Sequence, residues 1–250
     1  MAKNQPLISK VNPKSPFAEA YRTLRTNIQF ANPDKDIKTI MVTSAGPGEG
    51  KSTTVCNLAL AIAQSEKKVL VIDADLRRSN IHKIFGLPNL DGLTTLLTED
   101  ININAAVSFI DVPNLYVLTS GPKPPNPSEL LGSKRMEALL TKVKDEFDII
   151  LIDAPPILPV ADASVLGTIV DGSIMLINYG QVDFDLAAKA KEQLEKVNAR
   201  IMGVIINNIP NNGDSYYYYY YYSYYDDDKG KQRKKSYRHR RKRKSSYYNA

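Results

Sequence analysis

Thr43-Ser44-Ala45-Gly46-Pro47-Gly48-Glu49-Gly50-Lys51-Ser52-Thr53 is the stretch on which the fold of this 250-residue chain turns. The apolar run 39–43 before it reads as a strand, and 51–65 after it carries a helical pattern. Glycines at 46, 48 and 50 allow a tight turn from strand to helix, so that successive backbone N–H groups and a helix N-terminus surround an anion. Gly46, Pro47, Gly48, Glu49, Gly50, Lys51, Ser52 and Thr53 are therefore read as a phosphate cradle. Within it, Lys51 reaches the β- and γ-oxygens of a nucleotide and Ser52 ligates Mg2+. The strict pattern of such loops has Gly five residues before Gly50, where this chain carries Ala45.

Outward from the loop, short apolar runs alternate with longer helical ones. Strands are predicted at 39–43, 69–72, 115–118, 149–152, 174–178 and 201–206, and helices at 17–30, 51–65, 93–98, 133–146, 161–170 and 184–197. The strand runs lack polar alternation, as expected of a parallel sheet covered on both faces. The result is an α/β domain with a doubly wound, mostly parallel sheet and helices on both faces. Ser15-Pro16 supplies an N-cap and a first-turn proline for the first helix, whose inward stripe is read as Phe17, Tyr21, Leu24 and Ile28. Pro122-Lys123-Pro124-Pro125-Asn126-Pro127 reads as a stiff loop. Ligands of open parallel sheets bind beyond the carboxyl ends of the strands. Asp73, Asp75 and Asp153, at or just past two such ends, converge there on Mg2+ and the terminal phosphate. Mg2+ takes only one or two carboxylates beside waters and phosphate oxygens. One Asp is then free to accept a hydroxyl proton, and Asp75, two residues past its strand, is better placed for this than Asp73.

Composition divides the chain. Of 15 Tyr, twelve lie after position 215, and there are 6 Phe and no Trp. From Asp214 on, eleven Lys/Arg face four Asp/Glu, so the net charge of +6 belongs entirely to this tail. The domains are therefore 1–15, an extended arm; 16–212, the α/β domain, with 16–31 its first helix; and 213–250, a Tyr-rich basic tail expected to be disordered when free. A single cysteine, Cys56, excludes an internal disulfide and a thiolate metal cage, which points to a reducing cytosol. It reads as a small buried apolar residue. His82 and His239 suggest no metal pair. Neither a signal peptide nor a run of about 20 apolar residues able to span a bilayer is present.

The loop, Asp73-Ala74-Asp75-Leu76-Arg77, Ile152-Asp153-Ala154-Pro155 and the terminal tyrosines together closely resemble the bacterial tyrosine kinases that control capsule and exopolysaccharide synthesis. In that family the loop carries Pro-x-x-Gly-Lys-Ser, matched by Pro47, Gly50, Lys51 and Ser52, and Ala45 ahead of the proline is read as a family feature. The resemblance spans roughly residues 15 to 250 and implies a P-loop NTPase fold using ATP and Mg2+. Catalysis would then fall to Asp75, Asp73 and Lys51, with Ser52, Asp73 and Asp153 on the metal. Asp75 would deprotonate or orient a tyrosine hydroxyl. Asn207 resembles the asparagine that reads adenine in related ATPases, a turn asparagine being the other reading. Glu19, Arg22 and Arg25 match the family's Glu-x-x-Arg-x-x-Arg motif, which implies a ring of subunits, an octamer in the best-known relatives.

The implied phosphoacceptors are Tyr216, Tyr217, Tyr218, Tyr219, Tyr220, Tyr221, Tyr222, Tyr224 and Tyr225, entering a neighbour's site. The resemblance also implies a separate transmembrane activator, recruitment from the cytoplasm to the inner face of the membrane, and an opposing phosphatase. Lys242-Arg243-Lys244 fits an anionic membrane surface better than nucleic acid. The rival reading is a partitioning or assembly ATPase, or a nucleotide switch without kinase activity. Partitioning ATPases carry a second lysine five residues before the phosphate lysine, where this chain has Gly46. The cation that neutralises the transferring phosphoryl group is left open among Arg22, Arg25 and Arg77.

Overall fold

Strand residues of this chain sort by parity onto two apolar clusters. Ile40, Val42, Val69, Val71, Leu151 and Leu176 face one cluster, while Met41, Leu70, Ile72, Ile150 and Ile152 face the other. A strand's side chains alternate between faces, so runs apolar at every position must be covered on both sides. The computed structural model describes residues 7, 15–31 and 37–210. The expectations for the remainder of the arm and for the tail beyond 210 lie outside these residues. One compact unit ends at Asn208 and a second begins at Ile209.

The elements run α1 (Pro16–Phe30), β1 (Thr39–Ser44), α2 (Lys51–Ala63), β2 (Val69–Asp73), α3 (Ile81–Phe85), α4 (Leu93–Thr98), α5 (Ile103–Ala106) and β3 (Val107–Phe109). They continue with β4 (Leu115–Leu118), α6 (Pro127–Leu131), α7 (Lys134–Glu146), β5 (Ile149–Asp153), α8 (Asp162–Gly167), β6 (Gly172–Asn178), α9 (Phe184–Lys196) and β7 (Ile201–Asn207). The sheet order is β3-β4-β2-β5-β1-β6-β7, and every pairing is parallel except β3 with β4. The expected doubly wound α/β sheet is present, with all six expected strands in it.

The differences have local causes. β3 has three residues, too few to show a period. The short helices α3, α5 and α6 are likewise below the length at which periodicity speaks, and α6 begins inside the proline-rich stretch, with Pro127 in its first turn. β7 was expected to be covered on both faces. It is the sheet's edge, and Val204 and Ile206 are 50% and 54% exposed.

α1 begins as expected, with Ser15 Oγ accepting from Ala18 N–H at 3.1 Å and Pro16 in the first turn. Its inward stripe is corrected in one place. Tyr21, Leu24 and Ile28 pack into the α2-side cluster and Ala18 is fully buried, but Phe17 is 63% exposed. A helical stripe rotates with length, and here it passes through Ala18 at the N-terminal end. α1 lies on the outer side of α2, which explains why α2 is buried almost all round, Cys56 included.

Away from the loop, Asp171 ties the start of β1 to α7. Its Oδ2 accepts from the backbone N–H groups of Lys38 (3.1 Å) and Thr39 (2.8 Å) and from the Thr39 hydroxyl, while Oδ1 meets Lys144 Nζ at 2.7 Å. Burial alone would raise this carboxyl. The Lys144 and Thr39 hydrogen bonds outweigh it and hold the group below the usual carboxylate range. Asp171→Ala should therefore lower the free energy of urea unfolding by about 2 kcal/mol at neutral pH. A folded-state pKa below the unfolded value means the contribution is complete above about pH 4 and disappears as the pH falls through the folded value. The wild-type advantage over the variant should vanish on that acid side.

Candidate active site

Gly50 has φ +97°, a left-handed conformation natural to glycine, and a Cβ there would collide with the Asn207 amide. This close approach lets the chain turn from β1 into α2 with Lys51 as the first helical residue. Lys51 lies within the cleft at 7% exposure.

The loop is braced by a carboxylate of its own. Glu49 is fully buried; its Oε1 accepts from Gly46 N–H at 2.5 Å and its Oε2 from Asn178 N–H at 3.0 Å. Asn207 Nδ2 donates to the Glu49 carbonyl at 2.9 Å, and Gln181 Nε2 donates to the Pro47 carbonyl at 3.2 Å. The phosphate-binding stretch is thus stapled to the ends of β6 and β7 before any ligand arrives. The N–H of Gly46 is committed to Glu49, and Glu49 serves the loop through a side chain turned into the protein. Sequence reasoning counted both among the phosphate-contacting residues. The Asn207 amide, read as an adenine reader or a turn residue, here holds the loop backbone. Gly48 lies at the turn, with φ +77°. A groove of about 460 Å3 opens beside the loop, lined by Ala45, Pro47, Leu158, Val182 and Leu186 among others.

Parallel pairing places Asp73 and Asp153 as register partners at the ends of β2 and β5. Both are fully buried. Asp73 Oδ2 accepts from the N–H groups of Asn80 and Ile81, each at 3.1 Å. Among the described residues, Asp73 Oδ1 and both oxygens of Asp153 have no hydrogen-bond partner of ordinary geometry. Burial, with the charge of Asp153 beside it, pushes Asp73 well up, against the pull of the Ile81 and Asn80 N–H groups. Burial also lifts Asp153, to about 7, with Asp75's charge adding to it. No hydrogen bond of ordinary geometry reaches Asp153, yet Ser52's hydroxyl and then Lys51's ammonium lie close enough to draw its pKa back down.

Three orphaned carboxylate oxygens beside a phosphate loop fit a hard dication that completes its shell with phosphate oxygens and water. Among the described residues no three His, Cys, Asp or Glu side chains form a metal cage. Ser52, Asp73 and Asp153 are the residues that would hold it. Asp75 differs from both: it is 9% exposed, lies beyond the strand, and accepts the Arg78 N–H at 2.9 Å.

Arg77 does not stand free. Its Nε and Nη2 donate to Asp162 Oδ2 (2.7 Å) and Oδ1 (3.0 Å), a two-pronged grip on a fully buried carboxylate. Arg22 is paired with Glu19 at 2.6 Å, and Arg25 Nη1 donates to the Ala61 carbonyl at the end of α2, at 2.9 Å. Each of the three candidate cations for the transferring phosphoryl group thus has a partner within one copy. Asp162 and Ser128 were missed in the sequence; neither lies in a spaced motif.

Comparisons with known proteins follow this geometry. Residues 37–201 match a family model described as an AAA domain. The chain is 49% identical over 201 residues to a tyrosine-protein kinase of Bacillus subtilis, YwqD, covering 80% of this chain and 85% of that one. It superposes on the kinase domain of the Escherichia coli tyrosine kinase ETK with a TM-score of 0.81 and 36% identity, over 85% of this chain and 83% of that structure. This chain belongs to the bacterial tyrosine kinases. A septum site-determining protein with Mg-ADP, from Pyrococcus horikoshii, shares the fold at a TM-score of 0.58 and 24% identity, over 70% of this chain and 75% of that one. Kinship thus lies with the kinases, and the fold alone is common to the rival class. Among the described residues no helix is long and apolar enough to cross a membrane.

If Glu49 braces the loop, Glu49→Ala should weaken MgADP binding about tenfold, equivalent to losing roughly 1.4 kcal/mol of preorganisation. Titration calorimetry with the purified chain measures this. An unchanged dissociation constant would mean the loop holds its shape without the carboxylate.

Proposed function

We propose that this kinase moves the terminal phosphoryl group of ATP to the hydroxyls of a neighbouring copy's tyrosine cluster, and that this regulates capsular or exopolysaccharide synthesis and export. The observation that carries the reading is the division of labour among three carboxylates. Asp73 and Asp153 are sequestered with orphaned oxygens beside the phosphate loop, whereas Asp75, two residues on, lies outside the strand. Lys51 neutralises the β- and γ-phosphate oxygens, and backbone N–H groups of the loop hold the chain of phosphates in line. Ser52, Asp73 and Asp153 would hold Mg2+, which would supply further positive charge against the phosphates. Asp75 accepts the proton of the tyrosine hydroxyl as the phenolic O–P bond forms. The bond from the γ-phosphorus to the bridging oxygen breaks, and ADP carries that electron pair away.

The acceptors are Tyr216, Tyr217, Tyr218, Tyr219, Tyr220, Tyr221, Tyr222, Tyr224 and Tyr225. Transfer in trans suits a ring in which Glu19, Arg22 and Arg25 of α1 face the next subunit. Each added phosphate carries roughly −1.5 to −2 charge at neutral pH, so several reverse the sign of the basic tail and loosen its attraction to an acidic cleft. A separate membrane activator would bring the kinase to the inner face of the membrane, and a phosphatase would reset it. Against the partitioning-ATPase reading, Gly46 occupies the place of that class's second lysine.

The direct test is intact mass after incubation with Mg-ATP, with Lys51→Met and a chain truncated at Asp214 as controls. A ladder of phosphates on Tyr216, Tyr217 and their neighbours, lost in both controls, is the expected result. ATP consumption without any mass gain, even with an activator's cytosolic tail added, would favour the assembly ATPase. Light scattering checks the ring. Joint substitution of Glu19, Arg22 and Arg25 by Ala should reduce the assembled species to single copies, and extensive phosphorylation should do the same.

A further inference from the structure

We infer that Asp162, at the start of α8, is a positioning residue for phosphoryl transfer: by gripping Arg77 it fixes the segment that carries Asp75 and assembles the acceptor side of the cleft. The inference rests on Asp75 as the partner of the tyrosine hydroxyl. Asp75 has little to hold it. Among the described residues its carboxylate accepts one hydrogen bond, from the N–H of Arg78 at 2.9 Å, three residues along the same segment. The ends of that segment are anchored: Ala74 N–H donates to the Asp153 carbonyl at 2.9 Å, and Asn80 and Ile81 N–H groups donate to Asp73. Between those anchors, Arg77 reaches out to α8.

The grip is built to last. Asp162 has no exposed side-chain surface, and both of its oxygens are taken by the Arg77 fork. Burial would raise its carboxyl, but the hydrogen bonds from Arg77 and Ser128 and the charge of Arg77 prevail and hold it below the ordinary range. A paired buried carboxylate is strongly disfavoured once its partner leaves, so Arg77 has one stable place to be. Ser128 closes the network. Its hydroxyl donates to Asp162 Oδ1, and Arg77 Nη2 lies 3.3 Å from Ser128 Oγ. Ser128 belongs to α6, which begins at the end of the proline-rich loop. One carboxylate therefore joins three segments: the Asp75 loop, the proline-rich loop through α6, and α8. The phosphate loop is braced separately, through Glu49, Asn178, Gln181 and Asn207, and none of those hydrogen bonds reaches Arg77, Asp162 or Ser128.

Two independent braces make a separable prediction. Full-length Asp162→Asn is assayed with full-length Lys51→Met as the acceptor chain, reading tyrosine phosphorylation alongside MgADP affinity and KM for ATP. Transfer should fall roughly a hundredfold in kcat, the scale of an ångström's misplacement of a reacting group. MgADP affinity and KM for ATP should stay within about twofold, since no ground-state nucleotide contact is removed. Arg77→Lys, which keeps the charge and loses the fork, should match it, and the double variant should be no worse than either single one. Ser128→Ala, a milder change that preserves the ion pair should Asp162→Asn fold poorly, should give a smaller loss of kcat with KM again unmoved. Undiminished transfer in Asp162→Asn and Ser128→Ala overturns the inference. Transfer and nucleotide affinity lost in parallel also overturns it, marking Asp162 as a support of the fold. Asp75→Asn separates the two levels. If it abolishes transfer while Asp162→Asn does not, the function stands and this inference falls. If it leaves transfer intact, the assignment of Asp75 beneath both falls.

Discussion

Two carboxylates sit side by side at the ends of adjacent buried strands, and among the described residues three of their four oxygens lack a hydrogen bond of ordinary geometry. Burying an unpaired anion is among the least favourable things a protein can do, and here parallel register imposes it twice in one place. Protonation relieves the strain, as the upward shifts of Asp73 and Asp153 indicate. A bound dication would relieve it too. The apolar sheet supplies the stiffness to keep the pair in place, and the loop after β1 supplies N–H groups and Lys51 as countercharge. The cleft is therefore a site held ready at the expense of the apo protein's stability, an arrangement common where binding and chemistry are prepared in advance.

The same logic orders the surroundings. A glycine-rich turn has little intrinsic preference for one shape, because its residues have the widest conformational freedom. In this chain a buried glutamate, the backbone N–H of Asn178 and the side-chain amides of Gln181 and Asn207 remove that freedom. The acceptor side is fixed by another buried acid, Asp162, with an arginine for its partner. Two acids thus organise the two halves of the cleft without facing the reacting atoms. The aspartates proposed to face them, Asp73, Asp75 and Asp153, are left with unsatisfied oxygens or a single local hydrogen bond.

Much of this was legible in the residues. The parallel sheet followed from apolar runs without alternation, and the strand-end aspartates from where those runs stop. The phosphate loop was carried by its spacing. The directions of individual side chains were not legible. Glu49 looked like one more cradle residue because spacing does not reveal that a side chain folds beneath its own loop. Arg77 looked like an available cation because its partner lies 85 positions further on, in α8, a distance no periodicity spans. Phe17 looked inward because a seven-residue pattern hides the slow rotation of a helical stripe. The edge position of β7 was hidden for a related reason: an apolar strand reads alike in the middle of a sheet and at its border, and only topology separates them.

The lone thiol of the chain, Cys56, is fully enclosed one turn into the helix that begins at Lys51. Burial first, then the charges of Asp153 and Asp73, push it well up from its ordinary value, so it is neither accessible nor ionised in the closed structure. An alkylating reagent can reach it only when the packing of α2 against α1 and the sheet opens, and no second cysteine confuses the signal. The molecule thus carries a native clock: the rate at which it takes up such a reagent counts how often the phosphate-binding helix opens, and how far a bound nucleotide slows that breathing.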